Sequence, residues 1–75
     1  GIPEGKGALQ VRTTPKGADI LIAGLPENHK TPHKYFLEPG TYQVTLQLSG
    51  YQAVKKSVTI EKGKGLEINE TLQKP

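Results

Sequence analysis

The pattern of apolar and polar residues predicts a chain built from short β-strands. The clearest stretch is 42–48, where apolar residues at even positions alternate with polar residues at odd positions. This period of two is typical of a strand with one buried face. Pro39 and Gly40 come just before it, and this pair is typical of positions i+1 and i+2 of a type II turn. We therefore predict that the chain reverses there and that Leu37 returns beside this central strand.

Shorter alternating stretches occur on both sides of the central strand. They predict further strands at 8–14, 18–23, 33–37, 54–60 and 66–72. Lys56 interrupts the apolar side of its stretch, and we place it on an edge strand, where an inward lysine discourages pairing with another chain. Proline or glycine interrupts every window with helical spacing. The pattern thus predicts an all-β fold of six to seven short strands, either a small antiparallel β-sandwich or a partly closed barrel.

The length of 75 residues allows one small domain. We assign residues 7–72 to this domain, residues 1–6 to a linker or cloning remnant, and residues 73–75 to a tail. The chain begins with Gly1 and not with methionine, which suggests a piece of a longer protein. Within the domain, the longest irregular stretch is 25–32, where a small fold tolerates variation and binding.

Charge and composition exclude several classes of function. Ten Lys and Arg residues against seven Asp and Glu residues give a net charge of +3, with a single arginine and scattered lysines. Nucleic-acid binders usually concentrate their basic residues and add aromatic ones, so we expect no nucleic-acid partner. The chain has no cysteine, one aspartate and two serines, and no nucleophile with a base is apparent. We expect neither an enzyme nor a cofactor, for which so short a chain has no room.

His29 and His33 are the only histidines, and they are four residues apart. Pro32 lies between them and excludes the helix that would place both on one face. No third ligand is evident for a metal ion. We therefore predict no metal site and interpret both residues as solvated loop histidines.

The turn and strand residues also follow an ordered series along the chain. The series consists of Pro15, Gly17, Ala18, Gly24, Thr31, Pro32, Pro39, Gly40, Tyr42, Gly50 and Tyr51. In this order the sequence resembles the PEGA domain, a family of small bacterial and archaeal β-modules, from Gly7 to Leu72. Two positions depart from the family pattern: Lys16 replaces the glutamate of the naming motif, and Ala23 stands where an aspartate is common.

The resemblance implies a transthyretin-like β-sandwich appended to a larger envelope protein, surface-layer protein or signalling kinase. It carries over no catalytic residue, since the motif positions are turn formers or inward apolar residues. We expect a non-catalytic, extracytoplasmic module that docks to a protein or to cell-wall polysaccharide. By itself it should be a monomer, and it should reach a membrane only through its parent chain.

The predicted contact surface combines the long loop with the strand that follows it. Its residues are His29, Lys30, His33, Lys34 and Phe36. If Tyr35 faces the core, Phe36 points outward, and an aromatic ring beside lysines can stack on a sugar or bind an acidic partner. For Phe36 we prefer the simpler interpretation, in which the long loop covers the ring. For the domain as a whole, the alternatives are a rigid spacer without a ligand or a weak nucleic-acid-binding β-barrel.

Overall fold

A computed structural model describes residues 1–75 as seven strands in two sheets. The strands are β1 (Gly7–Thr14), β2 (Asp19–Ile22), β3 (His29–Lys30), β4 (His33–Leu37), β5 (Gly40–Gln47), β6 (Val54–Ile60) and β7 (Gly65–Thr71). One sheet has the order β4-β1-β7 and the other the order β3-β2-β5-β6. The prediction of a small all-β sandwich with six to seven short strands is confirmed.

The core lies between the two sheets and is made by their inward side chains. The largest fully buried side chains are Leu9, Val11, Ile20, Val44 and Leu46. They come from β1, β2 and β5, each of which has a neighbour on both sides. The alternation in these strands therefore reports burial correctly, since only their inward faces are removed from water.

Two features of strand pairing were not predicted. β1 and β7 pair in parallel, from Ala8 with Gly65 to Thr14 with Thr71, whereas all other pairs are antiparallel. This pair joins the first and last strands, so no local turn signals it. The stretch 25–32 is also not wholly irregular, because it contains the two-residue strand β3.

The predicted hairpin at Pro39 and Gly40 is wrong. β4 and β5 belong to different sheets, so these residues carry the chain across the sandwich. Gly40 has a φ of 154°, which L side chains rarely adopt. The Tyr42 hydroxyl donates a hydrogen bond of 2.6 Å to the carbonyl of Glu38, which spans the crossing in the manner of the tyrosine corner of β-sandwiches.

A hydrogen-bonded group around Thr31 joins β1, the turn before β2 and the connection from β3 to β4. Thr31 Oγ1 accepts hydrogen bonds from the backbone amides of Gly17 at 3.1 Å and Ala18 at 3.0 Å. These use its two lone pairs, so its hydrogen is donated to Thr13 Oγ1, 2.6 Å away. The Thr13 hydroxyl donates in turn to the carbonyl of Pro15 at 2.7 Å. Every polar atom in this buried group therefore has a partner.

We predict that Thr31→Val destabilises the domain by about 2–3 kcal/mol, because it leaves the buried Ala18 amide without an acceptor and removes the hydrogen bond to Thr13. The Gly17 amide keeps the Thr31 carbonyl as an acceptor. Thr31→Ser keeps the oxygen and should lose much less. Urea unfolding of both variants measures the difference. A loss in Thr31→Ser as large as in Thr31→Val would contradict the larger contribution assigned to the hydroxyl group.

We further predict that Tyr42→Phe lowers the free energy of unfolding by about 1 kcal/mol, through loss of its hydrogen bond. Tyr35→Phe is a matched control, because the Tyr35 hydroxyl is buried without a hydrogen-bond partner. Its removal should leave stability unchanged or slightly higher. Thermal and urea unfolding should show that Tyr42→Phe is less stable than both the wild type and Tyr35→Phe. A loss of stability in Tyr35→Phe as large as in Tyr42→Phe would contradict the prediction.

Candidate functional site

The five residues of the predicted contact surface lie in different places. Along β4, Lys34 and Phe36 face outward from the three-stranded sheet, whereas His33 faces the interior. His29 stacks on His33 at one long side of the sandwich. Lys30 is exposed on β3, where its ammonium is bound to the Asp19 carboxylate at 2.7 Å. The structure thus brings Lys34 and Phe36 together, pairs the two histidines elsewhere, and leaves Lys30 with an acidic partner.

The two histidines form what we call the histidine seam. His29 belongs to β3 and His33 to β4, which are the edge strands of the two sheets on this side. Their rings are nearly parallel, 8° apart, with centroids separated by 3.8 Å. The ring of Tyr35 is steeply inclined to both imidazoles. Its centroid lies 4.6 Å from that of His33 and 5.6 Å from that of His29. The interpretation as solvated loop histidines is therefore wrong, since both residues lie in strands and are half-buried.

The geometry of this stack opposes a metal site shared by the two rings. An imidazole nitrogen binds a metal along a lone pair in the plane of the ring, at about 2.1 Å for zinc. Because the planes of His29 and His33 are nearly parallel and their centroids are 3.8 Å apart, a metal between them would lie far outside both planes. The stack serves instead as an apolar closure between the sheets.

Burial shifts the pKa values of two ionisable groups at this seam. It lowers the pKa of His33 from its ordinary value, and repulsion from a protonated His29 lowers it further. Burial also raises the pKa of Tyr35. The neutral imidazole is thus the form of His33 that suits the folded domain.

The opposite long side is closed by an ion pair. The ammonium of Lys56 on β6 lies 2.7 Å from the carboxylate of Glu70 on β7. Both strands are at sheet edges, so the predicted edge position of Lys56 is confirmed. Its inward direction, an exception in the sequence pattern, is explained by Glu70 on the facing strand.

The outer face of the three-stranded sheet carries a shallow depression of about 330 Å³, which we call the outer trough. Its lining consists of Ile2, Ala8, Gln10, Arg12, Lys34, Gly65, Leu66 and Glu67. Ala8 pairs with Phe36 on one side and with Gly65 on the other. Ala8 is only 5% exposed, whereas Gly65 is open, with no atom within 4 Å of where a Cβ would lie. In the next row Gln10 lies between Lys34 and Glu67. The face therefore combines an exposed aromatic ring, an open position at Gly65 and a row of polar groups.

Phe36 and its neighbours have defined contacts. Phe36 is 40% exposed. The interpretation in which the long loop covers its ring is therefore wrong. The Lys34 ammonium lies 5.8 Å from the centroid of the ring, within the range of a cation–π contact. Across the trough the Arg12 guanidinium is 3.1 Å from the Glu67 carboxylate. Such an arrangement can stack on the flat apolar face of a ligand. Its polar residues can exchange hydrogen bonds with polar groups at the edge of that ligand.

Several trough residues were missed from the sequence. The alternation in 8–14 does place Gln10 and Arg12 on the outward face of the strand. This alternation is the sequence signal from which their exposure could be predicted. Glu67 and Gly65 join them only because β7 pairs in parallel with β1. That pairing has no local signature, so the trough was not predicted as a unit.

A protein-family model described as the PEGA domain matches residues 6–75. The chain belongs to the PEGA domain family. This family is not known to be catalytic, and its members are commonly extracellular. A comparison with curated proteins gave no match. The structure contains no helix that is long and apolar enough to cross a membrane.

The motif residues of this PEGA domain have structural roles. Thr31 accepts hydrogen bonds from the amides of Gly17 and Ala18, and Tyr42 braces the crossing that contains Pro39 and Gly40. None of these residues lines the outer trough. The family motif therefore accounts for the fold, and binding must be argued from other positions.

We predict that this PEGA domain loses stability between pH 7.5 and pH 5 because of His33. Since the folded state lowers the pKa of His33, the unfolded chain binds protons more readily. The contribution is complete above the ordinary value of 6.5 and is lost as the pH falls through the folded pKa. Urea midpoints across this range measure the effect.

His33→Phe is the matched variant, because it retains an aromatic ring but cannot be protonated. It should flatten the pH dependence above the range in which carboxylates titrate. An unchanged pH dependence in His33→Phe would show that His33 is not its source.

Proposed function

We propose that this PEGA domain is a non-catalytic docking module of a larger extracytoplasmic envelope or signalling protein. It holds its parent chain to cell-wall polysaccharide through Phe36 and the outer trough. The observation that carries the proposal is the exposed ring of Phe36 on the same outer face as Lys34 and the open position Gly65. An extracytoplasmic position agrees with the usual location of the family.

The shape of this face suits a sugar ring better than a protein side chain. A pyranose presents a flat apolar face of C–H groups, which can stack on an aromatic ring. Gly65 leaves room for the adjoining residue of a linear saccharide. Gln10 offers its amide to the hydroxyl groups at the edge of the sugar, because amides both donate and accept hydrogen bonds.

Nucleic-acid binding is less well supported. Single-stranded nucleic acid usually binds to several aromatic rings within a basic groove, whereas this face has one ring. Its arginine, Arg12, is already paired with Glu67. A rigid spacer without a ligand would not need Phe36 on the surface, although one exposed apolar residue is also compatible with that role.

We predict that soluble peptidoglycan fragments shift the amide resonances of residues 8–10, 34–36 and 65–67 in the isotope-labelled domain. Phe36→Leu keeps an apolar side chain but removes the ring, and it should weaken binding by about tenfold. Phe36→Tyr keeps the ring and should bind nearly as the wild type does. Chemical-shift titration of the three proteins measures these affinities.

A short DNA duplex at low and moderate salt is the control for charge-driven binding. A phosphate-driven complex should weaken steeply as salt increases, whereas sugar stacking should change little. Absence of shifts with the glycan would favour a spacer or a protein-docking domain. Glycan shifts confined to residues 47–53, at the depression beside Tyr51, would move the site away from the trough.

A further inference from the structure

We infer that the saccharide preferred by the outer trough is acidic, and that the Lys34 ammonium binds its carboxylate while the sugar ring lies on Phe36. This inference rests on the proposed function, since it specifies the ligand of the same face.

Lys34 is the unpaired cation of the trough. The ion pairs of the domain are Lys6–Glu38, Arg12–Glu67, His29–Glu27, Lys30–Asp19 and Lys56–Glu70. The one other basic residue that lines the trough, Arg12, is held by Glu67 at 3.1 Å. Lys34 is therefore the charge on this face that lacks an acidic partner within the protein.

The position of Lys34 brings this charge close to where a sugar would stack. Its ammonium lies 5.8 Å from the centroid of the Phe36 ring. A sugar on that ring would remove water from the ammonium, and a neutral sugar would give no charge in return. A carboxylate on the sugar would replace the lost water with a charge-assisted hydrogen bond. Binding should therefore discriminate in favour of the acidic sugar.

The neighbouring row supplies the remaining polar contacts. Gln10 Nε2 donates to the backbone carbonyl of His33 at 3.3 Å, which fixes the side chain and leaves its amide oxygen as an acceptor for a sugar hydroxyl. The Glu67 carboxylate is neutralised by Arg12, so it opposes an anionic ligand only weakly. An acidic peptide would satisfy Lys34 equally well, but it would make little use of the exposed ring of Phe36.

The test compares tetragalacturonate with the same tetramer carrying methyl-esterified carboxylates, by chemical-shift titration. The wild-type domain should bind the free acid up to about five-fold more tightly, which is the upper end of the range for an exposed ion pair. Lys34→Gln should abolish this preference and still bind the ester. Lys55→Gln is the matched control, because Lys55 is an exposed lysine on the other sheet, and it should retain the preference.

Each other outcome overturns the inference in a distinguishable way. Equal affinities of the wild type for acid and ester, with both binding at the trough, would refute the acidic preference and leave the docking function standing. A preference that persists in Lys34→Gln would assign it to another residue. Absence of binding by either tetramer and by peptidoglycan fragments would refute both proposals. A hexaglutamate peptide that binds through Lys34 but is insensitive to Phe36→Leu would assign the face to acidic peptides.

Discussion

The hydroxyl group of Thr31 is the interaction on which the arrangement of the two sheets depends. The chain passes between the sheets twice near this point, after β1 and after β3. Backbone amides at such crossings cannot join a strand ladder, yet burial without a partner is costly. Thr31 Oγ1 accepts from two of them and is itself oriented by Thr13. It therefore fixes where β2 begins and where β4 departs, and the direction of β4 determines which side chains reach the outer face.

The two long sides of the sandwich are closed by different interactions, a stack of two imidazole rings and an ion pair. On one side the stacked rings of His29 and His33 exclude water without a permanent charge. On the other side Lys56 and Glu70 bring opposite charges together while remaining partly exposed. Both solutions place a polar or ionisable group on an edge strand, which discourages another chain from extending the sheet. They differ in that protonation of His33 opposes the histidine closure, whereas attraction between opposite charges holds the other side.

Much of the fold could be predicted because most strands have one buried face, and alternation reports this directly. Lys56 could be assigned to an edge, and the outward direction of Phe36 followed from the inward direction of Tyr35. The hairpin at Pro39 and Gly40 was wrong because a proline and a glycine indicate a change of direction without specifying whether the flanking strands pair. The parallel pairing of β1 with β7 was not predicted, because it depends on contacts between opposite ends of the chain. The candidate site was predicted only in part for the same reason, since Glu67 and Gly65 reach Gln10 and Ala8 through that pairing.

The division between inward and outward positions also explains why membership of the PEGA domain family does not by itself identify a ligand. The motif residues Thr31, Tyr42 and Gly40 act within the protein, where they satisfy backbone groups or allow a crossing. Lys34 and Phe36 face water and contribute little to that framework, so their chemistry can change without loss of the fold. The same strand, β4, thus carries core residues on one face and candidate binding residues on the other. Recognition by such a small module is best argued from its outward residues, and here these combine an aromatic surface with a cation that no acidic residue of the protein neutralises.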